Sequence, residues 1–174
     1  MGQGGQAAVA LMLHQPPAGS CELLFIERAR HPADFWSGHI AFPGGRRDPG
    51  DPDLLATVRR EVAEELGVAL PEPAGRLDDF DARRSIRPWP LVVSPFVFVL
   101  PERPPIRMNY EVSDYRWAPL ARLLHPEAAA THQRPSGTGT ISAPAVQFQQ
   151  FTIWGMTYLM FQGFCRTFGQ ELPQ

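Results

Sequence analysis

The chain contains no lysine; all sixteen of its basic residues are arginine. That excludes a Schiff-base lysine and a lysine-bearing phosphate loop. Cysteine is scarce, with two in 174 residues. Neither a disulfide framework nor a cysteine-built zinc site is expected, and the expected setting is reducing and cytoplasmic. No apolar run approaches the ~18 residues of a membrane span, so no membrane partner is expected. Met1–Gln6 lack a basic start and an apolar stretch, so they read as a flexible leader rather than a secretory signal. A net charge of −2 provides no global basic field, and nucleic acid is not an expected partner.

Proline is abundant, 19 of 174 residues, about twice ordinary usage. With 44% hydrophobic and 20% charged residues, the composition is that of a folded chain. It is read as a single domain over 1–174 with an α/β (α+β), loop-rich fold of short elements.

Ala7–His14 and Glu22–Glu27 read as a hairpin of buried strands across the turn Gln15–Ser20. His39–Phe42 reads as a short strand stopped by Pro43-Gly44-Gly45. The clearest helix is Leu54–Leu66, with Asp51 as N-cap, Pro52 at the first helical position and Gly67 as its stop. Gly75–Phe80 reads as a short strand. Leu91–Leu100 is a long strand bent or bulged at Pro95. Tyr110–Trp117 alternates weakly, and Leu120–Leu124 is a short helix. Residues 125–143 are expected to be a loop or a strand-turn-strand excursion. A strand at Phe148–Phe151 precedes a terminal helix over Ile153–Phe168. The Met156–Phe168 part of that helix is apolar enough to serve as a homodimer face.

On a helical wheel at ~100° per residue, Leu55, Val58, Val62 and Leu66 form a core-facing stripe. Glu61, Glu64 and Glu65 crowd the neighbouring stripe. Their repulsion should destabilise the helix and raise their pKa values. They are either a solvated acidic face or a divalent-cation site. In the second case hard oxygen ligands select Mg²⁺ or Mn²⁺.

The stretch Gly44-Gly45, Asp51, Arg60-Glu61-Val62-Ala63-Glu64-Glu65-Leu66-Gly67-Val68 resembles the signature of the Nudix hydrolases. Arg60 to Val68 matches throughout. Asp51 stands where that family has glutamate, one residue further from the arginine than usual. The resemblance implies a Nudix-type α/β/α sandwich with a mixed sheet, and hydrolysis of a pyrophosphate linkage. It implies that Glu61 and Glu65 ligate Mg²⁺ (or Mn²⁺), with Glu64 a further ligand or the base. The carbonyl of Gly45 would be a backbone ligand. Arg60 would orient Glu61, paired in turn with Asp51 or Asp48.

Leu23-Leu24, Arg28-Ala29, Gly38 and Phe42-Pro43-Gly44-Gly45 are similar to the motif of the coenzyme A pyrophosphatase branch. So is Ile153-Trp154-Gly155-Met156-Thr157. The motif's threonine is absent here, as is its second arginine; Asp34 lies near that place. Coenzyme A would need cations for its 3′-phosphate, and Arg30, Arg83, Arg84 or Arg87 could provide them. The expected substrate-binding set is Arg28, Arg30, Gly44, His39 and Arg84. Trp36 or Trp89 could stack on adenine, and Glu111 is an outlying candidate ligand or base. ADP-ribose, nucleotide sugars and nucleoside triphosphates are the alternative substrates. A nucleotide-binding sensor without catalysis is the alternative class.

Overall fold

The computed structural model describes residues 5–31, 37–82, 91–136 and 139–174. Strand β1 (Gly5–His14) is central. Its apolar run alternates between two cores. Ala7, Val9, Leu11 and Leu13 face one, and Ala8, Ala10 and Met12 face the other. Such a continuous run suits a strand covered on both sides. β7 (Leu91–Leu100) lies parallel to it, from Gly5 opposite Leu91 to His14 opposite Leu100.

The register across Pro95 is unbroken, so the expected bulge is not there. The Pro95 carbonyl accepts from the Leu77 N–H at 3.0 Å on the far side of β7. The missing proline N–H faces that same side, and the β1 ladder loses nothing. On that side the expected single strand is two short ones, β5 (Gly75–Arg76) and β6 (Phe80–Asp81), each paired with β7.

On its other edge β1 meets β2 (Glu22–Arg28) only at Leu13–Leu23 and His14–Glu22. β2 then diverges to pair with β8 (Val112–Pro119). It also pairs with the two-residue β3 (Ile40–Ala41). Into the gap comes β4 (Gly44–Arg46), set against Ala7–Val9 of β1. Gly44-Gly45 therefore forms a strand rather than ending one. Gly44 has φ +142°, and a Cβ there would lie 2.2 Å from the Ala8 carbonyl oxygen. Backbone atoms cannot yield as side chains do. Gly44→Ala is expected to lower stability by about 3 kcal/mol and Tm by roughly 6–12 °C, read by thermal unfolding.

Helix α1 (Leu54–Leu66) packs Val58, Val62 and Leu66 on one face of the sheet. Its N-cap is Asp53, whose Oδ1 accepts the Ala56 N–H at 2.7 Å, and not Asp51. The opposite face is covered by helix α3 (Gly155–Arg166) and a second sheet of β9 (Ala129–Ser136), β10 (Gly139–Phe148) and β11 (Phe151–Trp154). A short helix, α2 (Leu120–Leu123), links β8 to this layer. The layering is the α/β/α sandwich with a mixed sheet that the sequence implied.

Three boundaries differ from expectation. The strand expected at Phe148–Phe151 is instead the turn that joins β10 to β11, with Phe148 paired to Phe151. Residues 129–136 and 139–148 are paired strands, the strand-turn-strand alternative rather than the loop; Pro144 fits because β11 ends opposite Ala145, leaving β10 one neighbour there. The terminal helix starts at Gly155 because β11, whose Phe151 and Ile153 are core residues, merges in sequence with the apolar helix behind it. Gly155, at φ +62°, makes the break. Among the described residues no helix is long and apolar enough to cross a membrane.

Candidate functional site

The split between β1 and β2 places the Gly44-Gly45 strand beside the outer turns of α1. The Gly44 N–H donates to Glu65 Oε2 at 2.8 Å. A Cβ on Gly45 would lie 2.4 Å from the carboxyl carbon of Glu61. Two carboxylates one helical turn apart thus lie against two successive glycines that leave them room. Gly45→Ala should push the Glu61 carboxylate aside while the backbone stays in place. Turnover is expected to fall ~10–100-fold with Tm shifted by only a few degrees, checked by paired assay and melting.

Glu65 is 2% exposed. Burial pushes its carboxyl up to about 8, with Glu61 and Glu111 adding to the shift; the Gly44 N–H and Arg28 oppose it. Glu61, with its side chain 15% exposed, is also raised, chiefly by burial. Burial therefore outweighs mutual repulsion as the cause. Glu64 is the exposed member, its side chain 56% accessible.

Arg60 ties this face to the preceding loop. Its Nε donates to Asp51 Oδ1 at 3.0 Å and its Nη2 to Asp51 Oδ2 at 2.9 Å. Nη1 lies 2.9 Å from Glu61 Oε1 and 3.2 Å from Glu64 Oε2. Asp51 also accepts from the Asp48 N–H and the Thr57 hydroxyl, at 3.0 and 2.9 Å. These donors, Arg60 first, hold its carboxyl well below the usual range. Of the two candidate partners of Arg60, Asp51 makes the bidentate contact and Asp48 stays 3.8 Å away. The Asp51 N–H also closes a turn onto the Asp48 carbonyl at 3.0 Å.

Glu111 comes to the same place from the other side of the sequence, as a negative neighbour of both Glu61 and Glu65. Its carbonyl accepts the Ala29 N–H at 2.7 Å, and the Asn109 N–H reaches the Glu65 carbonyl at 2.9 Å. Arg28 is a positive neighbour of Glu65, and its N–H donates to the His39 carbonyl at 3.0 Å. Arg30 packs over Gly38, Nε 3.7 Å from where a Cβ would stand. Arg83, Arg84, Arg87, Asp34, Trp36 and Trp89 lie outside the described residues.

His39 lies 4.9 Å, centroid to centroid, from Trp154. His132 stacks on the same indole at 3.9 Å. Trp154, expected inside the terminal helix, is the last residue of β11. The β9–β10–β11 pairing brings His132 to Trp154, and no local spacing signals it. A cleft of about 470 Å³ between Arg122, His125, Glu127 and Gln149 contains none of Glu61, Glu64, Glu65 and Glu111.

The donor set suits a hard divalent cation. It offers buried carboxylate oxygens whose charge is only partly offset by one backbone N–H and nearby arginines. Among the described residues no three such groups converge as a ready shell. Glu61 and Glu64 pair with Arg60 and Glu65 accepts from Gly44, each through one carboxylate oxygen.

Residues 5–136 match the family model described as the NUDIX domain. The human mitochondrial coenzyme A diphosphatase NUDT8 is 33% identical over 141 residues, covering 78% of this chain and 58% of that protein. An uncharacterized protein of Schizosaccharomyces pombe is 40% identical over 111 residues, 60% of this chain and 34% of that one. The chain thus spans less than two thirds of the length of either relative. Among solved structures, the NUDIX domain of Shewanella oneidensis NrtR complexed with ADP ribose superposes with a TM-score of 0.55 at 25% identity. That match covers 70% of this chain and 76% of the other. With the helix, its glycine strand and the mixed sheet in place, the chain belongs to the NUDIX domain family.

Proposed function

We propose that the chain is a divalent-cation-dependent hydrolase of a phosphoanhydride bond, acting on coenzyme A or an acyl derivative. The products would be 3′,5′-ADP and (acyl-)4′-phosphopantetheine. The observation that carries this reading is the Glu61–Glu65 pair set against Gly44-Gly45, with Glu64 beside it. The coenzyme A diphosphatase relative supports the substrate, as does the Arg28–Gly45 motif.

In this reading Glu61 and Glu65 would hold Mg²⁺ or Mn²⁺, with Gly45 and Glu64 as further ligands. When bound, such an ion neutralises phosphate charge and lowers the pKa of water. Arg60 fixes the Glu61 rotamer through its bidentate grip on Asp51. Glu64, the accessible carboxylate, takes the proton from the attacking water. Arg28 faces the diphosphate beside Glu65. Water adds to one phosphorus, the bridging P–O bond breaks, and the bridging oxygen leaves with the other phosphate.

ADP-ribose is the second reading, favoured by the ligand of the NrtR domain. Coenzyme A, ADP-ribose, NADH, nucleotide sugars and triphosphates should be offered with Mg²⁺ or Mn²⁺ and the products identified by mass. Coenzyme A is expected to be turned over best, giving 3′,5′-ADP. A preference for ADP-ribose would replace the substrate, and inertness toward every diphosphate would overturn the hydrolase.

A further inference from the structure

Tyr110 is 86% exposed, the most exposed large hydrophobic residue described. A lone exposed aromatic is ordinary, but this one is mounted unusually firmly. It stands in a tight turn closed by the Val112 N–H to Asn109 carbonyl contact at 3.5 Å. The Asn109 side chain accepts the Glu111 N–H at 2.8 Å, bracing the turn from within. One end of the turn is bonded to the carbonyl of Glu65 and the other to the N–H of Ala29. The backbone is thus strapped between the C-terminal turn of α1 and the chain leaving β2. The ring itself packs on almost nothing. Glu111 and Glu64 are its charged neighbours. Met108, two residues earlier, is also exposed, at 43%.

The fold gains almost no burial from an aromatic side chain here. What the position offers is a flat apolar surface on a rigid mount, at the rim of the carboxylates and next to Arg28-Ala29. From this we infer that Tyr110 is a stacking platform for the planar base of the substrate, a specificity-determining residue whose ring covers the base while the diphosphate lies over α1. The inference rests on the carboxylate cluster being the diphosphate site. Phenylalanine would serve as well as tyrosine, because every base has a π-face and stacking needs no hydroxyl.

Binding of ADP and of inorganic pyrophosphate, each with Mg²⁺, is measured by calorimetry for the wild type, Tyr110→Ala and Tyr110→Phe. Removal of one stacking partner is expected to weaken ADP ~10-fold in Tyr110→Ala. Pyrophosphate should bind all three proteins alike, and Tyr110→Phe should match the wild type for both ligands. The proposal is overturned if Tyr110→Ala binds ADP normally or loses both ligands equally. It is equally overturned if Tyr110→Phe falls as far as Tyr110→Ala, or if the wild type binds ADP no more tightly than pyrophosphate. Hydrolysis is not read in this experiment. A wild-type protein that binds in the expected pattern but cleaves nothing would sink the catalytic reading and leave the platform standing.

Discussion

Glu65→Gln is expected to lose more than ~100-fold in turnover of a diphosphate substrate at saturating Mg²⁺ while remaining folded. The amide is nearly isosteric and keeps an oxygen to accept the Gly44 N–H, which now meets the carboxylate at 2.8 Å. What it removes is the negative charge that the carboxyl would carry on binding a cation, at a position 2% exposed to water. A charge in that position has little screening and acts strongly on any cation nearby. The defect should appear in turnover and in the Mg²⁺ concentration required, with a much smaller effect on substrate affinity. Turnover near the wild-type level would mean that the buried carboxylate takes no part in the reaction.

The same substitution should stabilise the metal-free protein. The Glu65 carboxyl is held at about 8 in the fold, chiefly by burial, against an ordinary value of 4.5. Between those values the folded chain binds more protons than the unfolded chain, so stability falls as pH rises. The penalty is absent below about pH 4.5, grows through neutrality and levels off above about pH 8. At pH 7 it reaches up to about 3 kcal/mol. Melting in chelator from pH 5 to 8 should show a declining Tm in the wild type and a flatter line in Glu65→Gln. Asp51 does not blur this test. Its carboxyl is held below the usual range, so its stabilisation is lost only in stronger acid. A wild-type Tm that rises over the same interval would contradict the burial account. Loss of activity with a gain in stability is the pattern of a functional charge kept at the expense of the fold.

Both predictions rest on residues that the sequence made visible. Arg60 to Gly67 carries its spacing within one helix, and 3.6-residue periodicity places the three glutamates together without tertiary information. The two strong strands were equally legible, because Ala7–Leu13 and Leu91–Leu100 are too apolar to lie elsewhere. The strand role of Gly44–Arg46 was hidden, since glycine is a poor strand former and only the divergence of β2 from β1 opens a place for it. Asp51 was read as a cap because Asp-Pro is a strong helix-start signal. Its actual role depends on Arg60, nine residues on. Glu111 and the His39–Trp154–His132 stack join elements far apart in the chain, and no local pattern encodes such meetings. The β9–β10 hairpin was obscured by its prolines and glycines, which mark turns in isolation but are tolerated at open strand edges.

The most direct test of the central claim is the binding of Mn²⁺, followed by electron paramagnetic resonance, to the wild type, Glu61→Gln, Glu65→Gln and a control, Glu127→Gln, from the cleft that holds none of the acidic site residues. The wild type and the control should bind the ion alike, and each of the two helix variants should bind it at least ~10-fold more weakly. Equal binding by all four proteins would show that the helix carboxylates do not hold the cation and would contradict the account.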